Sequence, residues 1–245
     1  LKKDQFAAPG PGAALQAMME RRYEAYKSHV VKPFFREHVT RLDRQIVLVD
    51  AMQSLNAGSD AVADLERALT EILACFRPGR GSFLTDWFSR RIDRILIAAT
   101  KADHLHHESH DRLQTIVRRL ADRAIKRADF SGAEVEVLAM AAVRATREGT
   151  VKHGRDTLPV IIGTPLKGET IGDETFDGKT ETAVFPGDLP VSPETALKAA
   201  PGELALRFVR FRPPKLERST EGVTLSLPHI RLDRALQFLL GDRLA

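Results

Sequence analysis

The sequence predicts an α/β protein built on a doubly wound, mostly parallel sheet. Three observations carry this reading. Short apolar runs recur at residues 45–50, 92–99 and 134–141, with amphipathic helical stretches at 59–76 and 108–128 between them. The runs are near-continuously apolar rather than alternating, the pattern of strands covered on both faces. Their β-α-β-α-β order calls for right-handed crossovers, which keep successive strands parallel.

The elements follow in chain order. Residues 8–12, Ala-Pro-Gly-Pro-Gly, are a linker signal. From 13 to 40, Leu15, Met18, Met19, Tyr23, Tyr26, Val30 and Phe34 fall near helical spacing, and Pro33 is expected to break or kink the stretch. That interruption favours a packed helical insertion over a coiled coil. Gln45 to Asp50 is a buried strand, with a turn expected from Ser54 to Gly58. The helix over 59–76 puts Val62, Leu65, Leu69, Ile72, Leu73 and Phe76 on one face, with Ser59 as N-cap. Cys75 falls on the same face. The helix over 108–128 turns Leu113, Ile116, Val117, Leu120 and Ala124 inward. Beyond 141 the texture changes. A strand is expected at 158–163, a Gly-, Thr- and Asp-rich excursion at 163–192, a strand at 203–212 stopped by Pro213 and Pro214, and a partner for it at 222–227. A closing helix spans 230–243, with Leu232, Ala235, Leu236, Leu239 and Leu240 on its inner face. The expected organisation is a helical segment over 1–40, an incomplete α/β core over 41–162 and a C-terminal α+β extension over 163–245.

Composition narrows the class. One cysteine among 245 residues rules out an internal disulfide and suits a reducing, cytoplasmic compartment. No run approaches the ~18 apolar residues of a membrane span; peripheral contact with a membrane surface stays open. The net charge of +4 is mild, and with one Trp and two Tyr no aromatic-and-basic stripe suggests nucleic acid. The chain opens Leu-Lys-Lys-Asp, which reads as an internal start with residues upstream.

Ligands of open α/β sheets bind beyond the carboxyl ends of the strands, and three such ends carry chemistry here. Asp50 closes the first strand, where a carboxylate can hold magnesium beside a nucleotide phosphate, the Walker-B role. Its bland reading is a cap of the next turn. Gln53, three residues on, is a candidate for positioning the attacking water. Thr100-Lys101-Ala102-Asp103 follows the second strand. A carboxylate there accepts two hydrogen bonds from the N1 and N2 donors of guanine, a donor pair that adenine lacks. The Lys101 stem can lie on the base, and the Thr100 hydroxyl can order the loop. Ala141 and Ala142 end the third strand, where a small residue lets a backbone N–H reach the guanine O6.

These segments resemble the YcjX-like family of bacterial stress-associated P-loop GTPases. The resemblance rests on Val-Leu-Val-Asp-Ala-Met-Gln-Ser-Leu-Asn-Ala-Gly, on Ile-Leu-Ile-Ala-Ala-Thr-Lys-Ala-Asp-His, on Ala-Ala-Val-Arg-Ala-Thr-Arg-Glu and on the closing Leu-Pro-His-Ile-Arg-Leu-Asp segment. It implies a Ras-like core, GTP or GDP with Mg2+ as ligands, and slow GTP hydrolysis by a complete protein. No Gly-x-x-x-x-Gly-Lys-Ser/Thr occurs in this chain. The backbone cradle and lysine that hold the β- and γ-phosphates are therefore missing, and the chain alone is expected to bind nucleotide weakly and to hydrolyse it negligibly. The rival reading is a non-enzymatic scaffold that docks a protein partner through Arg207, Arg210 and Arg212.

Two further groups stand out. If helical, His106 and His110 share a face and His107 lies apart; with no Cys or Glu in a recognised ligand pattern, the segment reads as a polar loop and helix start. Arg77, Arg80, Arg90, Arg91, Arg144 and Arg147 are candidates to reach a phosphate or a partner.

Overall fold

A computed structural model describes residues 11–38, 42–75, 92–130, 132–215, 217–219 and 222–244. The arginines at 77, 80, 90 and 91 and the Cys75 side chain lie outside that description. The chain divides into two units, one running to Asp43 and also holding residues 81–91, the other holding residues 44–80 and 92–245.

In the first unit, α1 (Pro11–Tyr26) and α2 (Lys32–Glu37) are joined by a π-helical turn, Lys27–Val31. The helix does not break at Pro33. The π turn lies just upstream, where the Lys32 N–H returns five residues to the Lys27 carbonyl. Leu15, Met19, Tyr23, Tyr26, Val30 and Phe34 are all exposed.

The second unit is organised by a parallel sheet of β1 (Arg44–Val49), β2 (Arg94–Ala99) and β3 (Glu134–Ala139), in that order. Between β1 and β2 run α3 (Ala51–Ala57) and α4 (Ser59–Cys75); between β2 and β3 run α5 (His110–Leu120) and α6 (Asp122–Phe130). The expected helix over 108–128 is thus two helices, broken at Ala121. The expected turn at 54–58 is the end of α3, which Gly58 terminates.

Side chains alternate across the sheet. Val47, Val49, Ile95, Ile97, Val137 and Ala139 face the helices between the strands, against Leu55, Leu69, Leu113, Ile116 and Val117. Leu96, Ala98, Leu138 and Met140 face the opposite way and are covered by α8 (Leu232–Leu244) through Ala235, Leu232, Phe238 and Leu239. On that face β1 is left open. Ile46 and Leu48, in register with Leu96 and Ala98, are 43% and 65% exposed.

The end of α8 is tied to the strands by charge. Arg44 donates to both Asp242 carboxylate oxygens at 2.9 and 2.7 Å and to the Leu239 carbonyl at 2.9 Å. Arg94 donates to the Phe238 carbonyl at 2.6 Å. Two cations thus lie beside the C-terminal half of the helix, toward the negative end of its dipole. The hydrogen bond from Arg44 holds the Asp242 carboxyl down at about 2. A depressed carboxyl pKa adds stability above the unfolded value of about 4, and that stability is lost as pH falls through the folded value. We expect α8 to loosen between about pH 4 and pH 2, read as an acid shift in hydrogen exchange of the 232–244 amides. Asp242→Asn should remove that pH dependence.

Gly58 is constrained twice. Its φ is +97°, and a Cβ there would lie 2.8 Å from Pro201 Cδ and 2.9 Å from its backbone nitrogen. Gly58→Ala should destabilise the fold by about 1–3 kcal/mol, measured by denaturant titration.

The C-terminal region has its own sheet, β4 (Arg147–His153), β5 (Asp156–Gly163) and β8 (Thr182–Val184), all antiparallel, with a small β6–β7 hairpin (Thr170–Ile171 and Glu174–Thr175) inserted. This sheet joins residues on both sides of the boundary expected at 162. A short α7 (Pro193–Lys198) follows. The strand expected at 203–212 does not form. The Arg207, Arg210 and Arg212 N–H groups go to Pro186, Glu169 and Thr164, the Arg210 carbonyl accepts the Leu166 N–H, and only Phe211 bridges, to Pro165. The pairing at the chain's end is instead local, β9 (Glu217–Ser219) with β10 (Gly222–Ser226).

Candidate nucleotide-recognition site

The carboxyl ends of β1 and β2 lead into the loops that carry the singled-out residues. The Thr100 N–H and hydroxyl both donate to the Val49 carbonyl, at 2.9 and 3.3 Å, so Thr100 stitches its loop to the end of β1. Lys101 is left-handed, with φ 63°. That conformation disfavours a residue with a Cβ by roughly 1–2 kcal/mol, and such strain gathers where a fold over-determines a functional loop. It turns the chain into a 3-10 turn over Ala102–His104. There Asp103 is 6% exposed.

Asp103 is held by the loop after β3. Its carboxylate accepts the Ala145 N–H at 3.0 Å, and its carbonyl accepts the Thr146 hydroxyl at 2.5 Å. Ala102 N–H donates to the Met140 carbonyl at 3.2 Å. The two loops expected to share a base are therefore bound to each other. Sequence reasoning missed Ala145 and Thr146; the one available signal was that a buried carboxylate needs donors.

Two expectations change. The Ala141 N–H is already given to the Ile230 carbonyl at 3.0 Å. It is not free for a base oxygen, which leaves Ala142 as the candidate. Asp50 is the N-cap residue of α3, yet its side chain makes no cap hydrogen bond. Its Oδ2 instead accepts Lys101 Nζ at 2.5 Å. Magnesium takes a near-octahedral set of oxygens. Around Asp50 the described residues offer one carboxylate, its Oδ2 paired with the Lys101 ammonium, and do not by themselves make up that set.

Beside this pair lies a cleft of about 310 Å3, lined by Asp50, Gln53, Lys101, His104, Glu169 and Arg210 among others. One wall belongs to the strand ends and the other to the C-terminal region. His104 packs edge-to-face on Phe211, with centroids 5.6 Å apart. Burial is the main cause pushing its pKa below the usual imidazole value, so the ring is neutral near pH 7. On the other wall, Arg210 donates its Nε and its backbone N–H to the Glu169 carboxylate, each at 2.8 Å. The hydrogen bonds from Arg210 pull the Glu169 carboxyl below its ordinary value. Arg212 donates to the Gly178 carbonyl. Two of the three arginines expected to dock a partner are thus engaged within the C-terminal region itself. Arg144 and Arg147 are similarly paired, with Glu148 at 3.1 Å and Glu181 at 2.8 Å. Gln53 is exposed on the first turn of α3.

The histidines differ from the expected grouping. His110 turns inward and its Nε2 donates to the Ala102 carbonyl at 2.8 Å, bracing the 102–104 turn from below. His106 and His107 come together instead, with ring centroids 4.3 Å apart.

A parallel sheet with helices on both faces and a Thr-Lys-x-Asp loop at its carboxyl edge defines an α/β protein compatible with the Ras-like fold. The chain belongs to the YcjX-like family, whose model matches residues 2–244. It is 37% identical over 228 residues to the Ras-like GTPase YcjX of Escherichia coli, covering 93% of this chain and 45% of that protein. It is 34% identical over 228 residues to the Ras-like GTPase YcjX of Shewanella oneidensis, covering 93% of this chain and 44% of the relative. The chain therefore spans less than half the length of these curated relatives. No helix among the described residues is long and apolar enough to cross a membrane.

Proposed function

We propose that this chain is the guanine-recognising portion of a GTP-binding P-loop protein. The observation that carries the proposal is the state of Asp103. It is a buried carboxylate at a strand's carboxyl end, and the Ala145 N–H fixes one of its oxygens. Each carboxylate oxygen accepts two hydrogen bonds, so Asp103 keeps acceptors for N1–H and N2–H of guanine while remaining tethered. Lys101, strained and anchored by Asp50, lays its stem along the base; the Ala142 N–H meets the guanine O6. The names of the relatives point the same way.

The open edge of β1, which pairs with no strand among the described residues, and the exposed Ile46 and Leu48 suit a further strand and its covering helix. On this reading they take the part of the relatives' length that the chain does not span, with the phosphate loop and the magnesium site. Hydrolysis is slow, Gln53 positions the attacking water in the complete protein, and the setting is the cytoplasm under stress. The test is calorimetric titration of GDP and ADP into the chain joined to that remaining length. Uptake of GDP without ADP supports the proposal; equal uptake, or none, rejects it.

A further inference from the structure

Immediately after the Thr-Lys-Ala-Asp loop, His106, His107 and Glu108 bring three potential ligand atoms within 4.8 Å of one another. The cluster has features that a chance surface grouping lacks. His106 is 7% exposed, and its Nδ1 is buried without a hydrogen-bond partner among the described residues. A buried imidazole normally has both ring nitrogens occupied, one as donor and one as acceptor. His107 is oriented from behind: its Nδ1 lies 2.6 Å from Glu148 Oε2, while Arg144 donates to the other Glu148 oxygen at 3.1 Å. A carboxylate on Nδ1 fixes the ring proton there and leaves the Nε2 lone pair free. This is how histidine ligands are commonly tuned by outer carboxylates. Glu108 is exposed and adds an oxygen.

We propose that His106, His107 and Glu108 form a site for a divalent transition metal of the zinc type, with Glu148 as the residue that orients His107. Two imidazoles and one carboxylate suit zinc, nickel or copper, whereas magnesium and calcium favour oxygen alone. Zinc–ligand distances of about 2.0–2.2 Å require the three atoms to close by roughly an ångström. His107 and Glu108 are exposed enough to do so by rotation, around a fixed His106. Three protein ligands leave a fourth position for water or a further ligand. The site lies between the 102–104 turn and α5, so a bound ion stiffens the segment that carries Asp103 without touching the cleft.

The test is titration of Zn2+ and Co2+ into the chain after treatment with a chelator, by calorimetry and by the visible absorption of the cobalt form. We expect one ion per chain with micromolar affinity. His107→Ala, at an exposed position that leaves folding intact, should weaken binding at least about 30-fold, and Glu148→Gln about 10-fold. His106→Ala should abolish the cobalt spectrum, and His229→Ala should change nothing. Binding that is absent, weaker than millimolar, or unchanged in His107→Ala overturns the proposal.

Discussion

Asp103→Asn should turn a preference for guanine nucleotides into one for xanthine nucleotides. Guanine offers N1–H and N2–H to a carboxylate. An Asn side chain accepts the first through its amide oxygen but sets its NH2 against the guanine amino group. Xanthine carries an oxygen where guanine has that amino group, so it accepts from the same NH2. The N1–H bond survives on a neutral acceptor, and losing the N2–H bond to a charged group, at about 1.5–3 kcal/mol, puts the loss for GDP at roughly 10- to 10²-fold or more. The amide oxygen can still accept the Ala145 N–H that Asp103 now accepts at 3.0 Å. The variant should therefore fold, which separates recognition from stability. Competition of GDP and XDP for the chain joined to the rest of its relatives' length reads the result. An unchanged preference would remove Asp103 from the base site.

The largest effect on stability is expected at Ile97. It sits on the central strand β2, is 0% exposed, and faces the helices packed on that side. Ile97→Ala removes three carbons from a position where strands on both sides hold the backbone, so the cavity cannot collapse. The cost is about 2–5 kcal/mol. A domain of this size loses roughly 2–4 °C per kcal/mol, so the thermal midpoint should fall by about 5–20 °C. Leu48→Ala, exposed on the neighbouring strand, should lower it far less in this chain. A comparable fall in both would mean that Leu48 is covered.

The parts of this fold that follow a local rule could be read from the residues. The three parallel strands lie within two residues of the apolar runs that predict them; β2 is buried on both faces, and β1 carries Ile46 and Leu48 even on the face that is open in this chain. The closing helix was legible from Leu232, Ala235 and Leu239, although Leu236 and Leu240, expected on the inner face, are 48% and 38% exposed. What failed was non-local. The segment 203–212 has a strand's alternation, but its backbone bonds are split between its own turn, Pro186 and residues 164–169, so no ladder runs its length. The polar β4, Arg-Glu-Gly-Thr-Val-Lys-His, gains strand geometry from pairing with β5 rather than from its own composition. Within the site, the Thr-Lys-x-Asp spacing located the loop. The partnership of Asp50 with Lys101, 51 positions apart, and the tether from Ala145 to Asp103 arise only when strand ends converge.

The π turn at Lys27–Val31 has a geometric consequence for the first unit. From Leu15 to Phe34 an unbroken α-helix would rotate about 100° beyond five full turns, carrying Phe34 off the line that Leu15, Met19, Tyr23 and Tyr26 begin. A π turn takes up one extra residue and cancels that drift, so Val30 and Phe34 rejoin the line. The inserted residue acts as a phase correction that keeps these six apolar side chains near one line along the helix.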